Sequence, residues 1–309
     1  MHAAAFPPRG GVSPRSTHLR GQSIIEYVLI IAVIGLVVAF IGPTTAEAMR
    51  KGFGTVVSTL ENGTTGEEFQ PEDKKALASA GRKSVSEWSI SEQKAAAEDI
   101  SQNGENSICF AKAKAAMDSG TKWSVTLNDG KTLEYRIIGI NHDDLIDGSG
   151  KAGLTFETTS DFSGGLQMNS TDTNIGGWEK SNLRRRLNSG DLWNLLPSEL
   201  TAGMKQVAKV TDNTGGGKTG KPTVTADKVF LLSVTEVFGN KQSDGVQYEY
   251  YADKGVNITN FGGASSAFYH WTRTAYPERD TNFRCIYGDG GSSTCRASGE
   301  NRAFPAFCL

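Results

Sequence analysis

The chain reads as an α+β protein in which an N-terminal apolar helix precedes a loop-rich body. Three observations predict this. The run from Val28 to Gly42 holds no charged residue, apolar residues alternate around an Asp-Gly turn between Trp123 and Ile140, and 36 of 309 residues are glycine, against a usual share of about 7 %. With 32 basic and 34 acidic residues the net charge is -2, which gives no general attraction to nucleic acid and excludes it as a partner. Hydrophobic residues at 38 % and charged ones at 21 % exclude a multi-span transporter and leave ample material for a soluble core.

Residues 1–21 contain Pro7, Pro8, Pro14, Arg9, Arg15 and Arg20 with no acid, the composition of a basic leader peptide. Residues 22–61 form the apolar helix and its continuation. Tyr27 to Gly42 is 16 residues, about 24 Å of helix, and Ile24 and Ile25 extend it towards the roughly 20 residues that cross a bilayer. Three readings of this start are open: a cleaved secretory signal ending near Thr44–Ala48, a plain signal anchor, and a signal cut on the cytoplasmic side of the apolar run. Glu26 separates them, because a carboxylate at the edge of an apolar helix is costly without a partner. Beyond Pro43, apolar residues at Ala46, Met49, Phe53, Val56, Val57 and Leu60 continue an amphipathic helix.

Arg20-Gly21 followed by Gln22-Ser23-Ile24-Ile25-Glu26-Tyr27 and the apolar run resembles the class III signal of type IV pilin-like proteins, especially Flp-type pilins of Tad systems. The resemblance covers about 25 residues. It implies that a membrane prepilin peptidase cuts after Gly21, that Gln22 becomes the mature terminus, and that Glu26 and Tyr27 belong to the assembly segment. In that family the glutamate neutralises the terminal amine of a neighbouring subunit, which supplies the partner that a buried carboxylate requires. The implied partners are other pilin subunits, the prepilin peptidase and the membrane.

Residues 62–104 read as a stalk or linker: Glu61-Asn62-Gly63 stops the helix, and the stretch to Gln102 is rich in Ala, Glu, Lys and Ser, with Trp88 and Ile90 among its few large apolar groups. Residues 105–309 read as the head. Ile108–Asp118 favours helix, Trp123–Ile140 is a hairpin around Asn128-Asp129-Gly130, and Leu154–Thr158 is a strand. Ser181 caps a short helix in which Leu183 and Leu187 share a face, Leu192–Met204 holds one or two more, and Val229–Ser233 is a buried strand.

The segments Trp178–Arg184, Ala226–Ser233 and Trp271–Thr274, with the ending Ala303-Phe304-Pro305-Ala306-Phe307, resemble a bacterial surface-protein domain of unknown function. That domain is similar in turn to the C-type-lectin fold and to the fold of formylglycine-generating enzymes. The resemblance implies a twisted antiparallel core with two flanking helices and a loop-rich face. Four cysteines allow three pairings; the lectin-like pattern implies Cys109 with Cys308 and Cys285 with Cys295. It does not bring a ligand with it, because the Glu-Pro-Asn, Gln-Pro-Asp and Trp-Asn-Asp calcium motifs are absent.

For catalysis the residues offer little, and neither a metal nor a cofactor is expected. Gly-x-Ser-x-Gly does not occur. His142 and His270, the histidines that remain beyond the leader, read as turn or surface residues. Asn141–Gly148 has oxygens enough for calcium but not the spacing of an EF-hand, and Gly215–Gly220 around Lys218 lacks phosphate-loop spacing. An enzyme related to the formylglycine-generating fold would need a thiol pair for copper; Cys285 and Cys295 fit that pair poorly, and nested disulfides account for all four cysteines more simply. Aromatics interleave with arginines at Tyr269, Trp271, Arg273, Tyr276, Arg279, Arg284 and Tyr287, the residue types enriched in binding hot spots. The expected function is therefore that of a surface subunit, anchored in the cytoplasmic membrane before assembly, whose extracellular head recognises a host-cell or glycan ligand. A shaft subunit without a dedicated ligand and a membrane-tethered enzyme are the alternatives.

Overall fold

A proline followed by two acids is a strong way to start a helix, since proline has no N–H to leave unpaired and carboxylates favour the positive end of the helix dipole. Pro71, Glu72 and Asp73 start helix α1 (Pro71–Arg82), which closes on Arg82. The computed structural model describes residues 71–160, 162–239 and 244–309; Gly21, Gln22, Glu26 and Tyr27, with the processing and assembly roles expected of them, lie outside these residues. Among the described residues no helix is long and apolar enough to cross a membrane.

Helix α2 (Ile90–Asn103) opens on a capping box in which the Ser89 hydroxyl accepts from the Glu92 amide and the Glu92 carboxylate accepts from the Ser89 amide. Its Ala95, Ala96, Ala97 and Ile100 are buried, as is Trp88, whose indole donates to the Ala80 carbonyl at 3.0 Å. Residues 71–103 are thus part of the head's core and not a stalk, which corrects the boundary expected at 105. Small side chains made this stretch look thinly packed, yet they are what allows close approach. A Cβ on Gly153 would lie 1.8 Å from the Ala97 carbonyl oxygen. Helix α3 (Phe110–Ser119) follows and ends on Gly120 in the left-handed conformation at φ 68°.

Strands β1 (Lys122–Thr126) and β2 (Thr132–Ile140) pair as expected, with Trp123 opposite Tyr135 and Gly130 taking the turn at φ 85°. With β3 (Leu154–Thr158), β6 (Val229–Phe230) and the C-terminal β10 (Ala306–Cys308) they build a five-stranded antiparallel sheet in the order β1-β2-β3-β10-β6. Inward alternation brings Tyr135, Phe156 and Phe307 together at centroid distances of 5.4 to 5.5 Å, a contact worth about 1 kcal/mol per pair beyond its buried area. The chain end is therefore a central strand of the core.

Between β3 and β6, helix α4 (Asn182–Ser189) is capped by Ser181 and buries Leu183 and Leu187. Short helices α5 (Asp191–Leu195) and α6 (Ser198–Thr201) follow, then the two-stranded ribbon of β4 (Val207–Thr211) and β5 (Thr223–Asp227). Helices α7 (Val234–Phe238) and α8 (Glu249–Asp253) precede a three-stranded antiparallel sheet of β7 (His270–Ala275), β8 (Asn282–Ile286) and β9 (Ser292–Arg296).

The cysteines divide unequally. Cys285 and Cys295 form a disulfide across β8 and β9. Cys109 and Cys308 are both buried and free, so the long bridge expected between them is absent. Each sits in its own buried setting. Cys109 caps α3 beside Asp99 and Lys112, where burial pushes its thiol up to about 11. Cys308 is held on β10 by Thr155 Oγ1 at 3.4 Å and Asp143 Oδ2 at 3.5 Å.

Candidate functional site

Strand alternation sends Phe283 and Cys285 into the core and Arg284 to the other face of β8. Arg284 there lies over the Tyr276 ring, 4.5 Å from its centroid. The β8–β9 turn is closed by a bond from the Tyr287 amide to the Gly291 carbonyl and by Asp289 accepting from the Gly291 amide. Gly290 takes φ 95°, and a Cβ on it would stand 2.1 Å from the Phe261 carbonyl oxygen, so this turn requires glycine. The result is a cavity of about 410 Å³ lined by Ile258, Phe261, Arg284, Tyr287, Asp289 and Ser292 among others. One guanidinium, one carboxylate, two hydroxyls and two aromatic rings meet in it, and the disulfide ties together the hairpin that carries all of these groups except the Phe261 ring.

Of the seven residues expected to bind ligand, Arg284 and Tyr287 line this groove. Tyr269 is 53 % exposed, with its ring 4.5 Å from that of Tyr287. Tyr276 supports Arg284, and Arg279 is exposed in the β7–β8 turn. Trp271 and Arg273 are a correction: both are buried. β7 is covered on both faces, so alternation exposes nothing along it. The Trp271 indole donates to the Leu166 carbonyl at 2.6 Å, and Arg273 forks onto Glu236.

Arg273 belongs to a second assembly that the sequence hardly announced. Lys209 Nζ on β4 lies 2.6 Å from Asp143 Oδ1 and 2.6 Å from Glu236 Oε1. The Tyr248 hydroxyl meets both Asp143 oxygens at 3.0 and 2.9 Å, and Thr155 donates to Oδ2 at 2.6 Å. Burial works against charge on each of these groups, yet mutual pairing wins. Asp143 is held below the ordinary carboxylate range by Lys209, Glu236 by Arg273 and then Lys209, and Lys209 is raised by both carboxylates. A cleft of about 330 Å³ opens onto this cluster between His142, Lys151 and Glu249.

Of the two histidines read as turn or surface residues, His142 is half-buried and His270 is buried. His142 stacks on Tyr248 at 4.1 Å and meets Glu249 through Nδ1 at 3.1 Å; His270 is 8 % exposed. The oxygens of Asn141–Gly148 diverge instead of converging on a cation: Asp143 faces Lys209, Asp144 pairs with Lys151, and Asp147 accepts from Ser149. Two signals could have found the buried cluster. Lys209 shares the inward parity of Val207 and Thr211 on β4, and Ser233–Glu236 is a capping box that turns its acid inward.

Residues 153–309 match the family described as Domain of unknown function (DUF6273). No curated protein and no solved structure matches the chain.

Proposed function

We propose that this chain, which belongs to the DUF6273 family, is a surface recognition subunit whose head binds a ligand in the groove between Phe261 and the β8–β9 hairpin. The observation that carries this reading is the groove's composition on a stapled support. Aromatic faces from Phe261 and Tyr287, with Arg284, Asp289 and Ser292 as polar contacts, suit a ligand with one apolar face and several hydroxyls, as a sugar ring has. The Cys285–Cys295 bond is consistent with an oxidising location outside the cytoplasm. The C-type-lectin-like architecture is part of the proposal; the central C-terminal strand, the flanking helices and a bridge near the C-terminus support it. So is the delivery route: a leader cut after Gly21, an N-terminal helix that inserts in the cytoplasmic membrane, and Glu26 and Tyr27 in filament assembly with other pilin subunits.

The groove is tested by applying the purified full chain to a glycan panel and to host cells beside Arg284→Ala and Tyr287→Ala. Binding by the wild type and a loss of at least about tenfold in each variant, close to 1.4 kcal/mol, with unchanged melting temperature, is expected. No binding by the wild type favours the shaft-subunit reading, and binding that survives both substitutions places the ligand elsewhere.

A further inference from the structure

Lys209 and Asp143 hold an amine and a carboxyl group in direct contact at a place that little water reaches. Their side chains are each 3 % exposed and that of Glu236 is 2 % exposed. Lys209 Nζ also lies 4.2 Å from the centre of the Phe230 ring. Burying an ion pair costs desolvation that its Coulomb attraction barely returns, whereas an amide in the same place carries no charge. We propose that Lys209 and Asp143 condense into an intramolecular amide bond, with Glu236 as the proton carrier. This is independent of the recognition reading.

The chemistry balances without an oxidant or a co-reactant. Lys209 passes one proton to Glu236, which delivers it to Asp143 Oδ1, leaving a neutral amine facing a carboxylic acid. The Nζ lone pair attacks Cγ, and the charge that develops on Oδ2 is received by the Thr155 and Tyr248 hydroxyls already directed at it. A second proton leaves nitrogen through Glu236, the Cγ–Oδ1 bond breaks, and Oδ1 departs as water into the cleft that opens onto the cluster. Nitrogen keeps its third hydrogen in the amide. Holding the two reactants in contact supplies an effective concentration on the order of 10⁵ M or more, which replaces external activation. Arg273 stays paired with Glu236 throughout, so Asp143, Glu236, Lys209 and Arg273 sum to zero charge before the step and after it. The bond would tie the loop after β2, which precedes the family match at 153–309, to β4 within it.

Intact-mass measurement of the purified full chain tests this. The expected mass is about 18 Da, one water, below the sequence mass with the Cys285–Cys295 bridge formed, and digestion yields one branched peptide joining Lys209 to Asp143. Asp143→Asn should still close but lose ammonia, about 17 Da, instead of water. Glu236→Gln and Lys209→Met should show no loss. Because those two variants remove buried partners on which folding depends, the folded wild type decides by itself. A wild type at its full sequence mass overturns the proposal, and so does a water loss that maps to a succinimide at Asp129-Gly130 or Asp147-Gly148.

Discussion

His270 begins β7 with its imidazole packed 4.9 Å from the Phe304 ring and its Nδ1 within 3.3 Å of the Phe268 carbonyl. Burial lowers its pKa from 6.5 to about 4, against the smaller opposing effect of that carbonyl. Between those two values the unfolded chain binds a proton that the folded chain refuses, so stability falls as pH drops from 6.5 through 4. The full loss is about 3 kcal/mol. Urea unfolding at pH 7 and pH 4.5 should show this decline, and His270→Phe should flatten it. An identical slope in the variant would mean that other groups carry the acid sensitivity. Glu92 acts at lower pH: burial opposes its charge, but Lys83 and Ser79 hold its pKa at about 2, so its contribution is lost only as pH falls from 4.5 towards that value.

Among the elements, the β8–β9 hairpin joins stability to the site. Its bridge closes a loop with a sequence separation of 10, which by chain entropy contributes up to about 3 kcal/mol. Replacing both Cys285 and Cys295 with serine should lower stability by that order and weaken ligand binding more than it disturbs the far sheet. Hydrogen exchange would report this as lost protection confined to β8 and β9. Uniform loss would show that the hairpin is not an independent support.

How far these elements were legible in the sequence follows from where their partners lie. The β1–β2 hairpin, the Ser181 cap and the helix leading to Ser119 depend on residues a few positions apart, and local pattern was enough. The packing of residues 71–103 into the head was not legible, because Ala95, Ala96 and Ala97 signal close packing only once Gly153 stands opposite. Trp271 and Arg273 read as surface because a strand covered on both faces looks like any other in sequence. Lys209 was missed for a similar reason. A lysine is ordinarily solvated, and its partner Asp143 is 66 residues away in the chain.

At the scale of the whole molecule, the proposed subunit combines a pilin-type N-terminal segment with a head whose groove takes a ligand. In the proposed assembly the segment's role depends on Glu26, whose carboxylate would meet a neighbouring subunit's terminal amine in an apolar filament core. The most direct test is gold-labelled antibody against the head on intact cells of the wild type and of Glu26→Ala. Gold on extracellular filaments in the wild type, lost in Glu26→Ala, is the predicted result; tip labelling would mark a minor adhesin and shaft labelling a bulk subunit. Gold confined to the cell envelope in both strains would contradict the account and leave the N-terminal segment as an anchor alone.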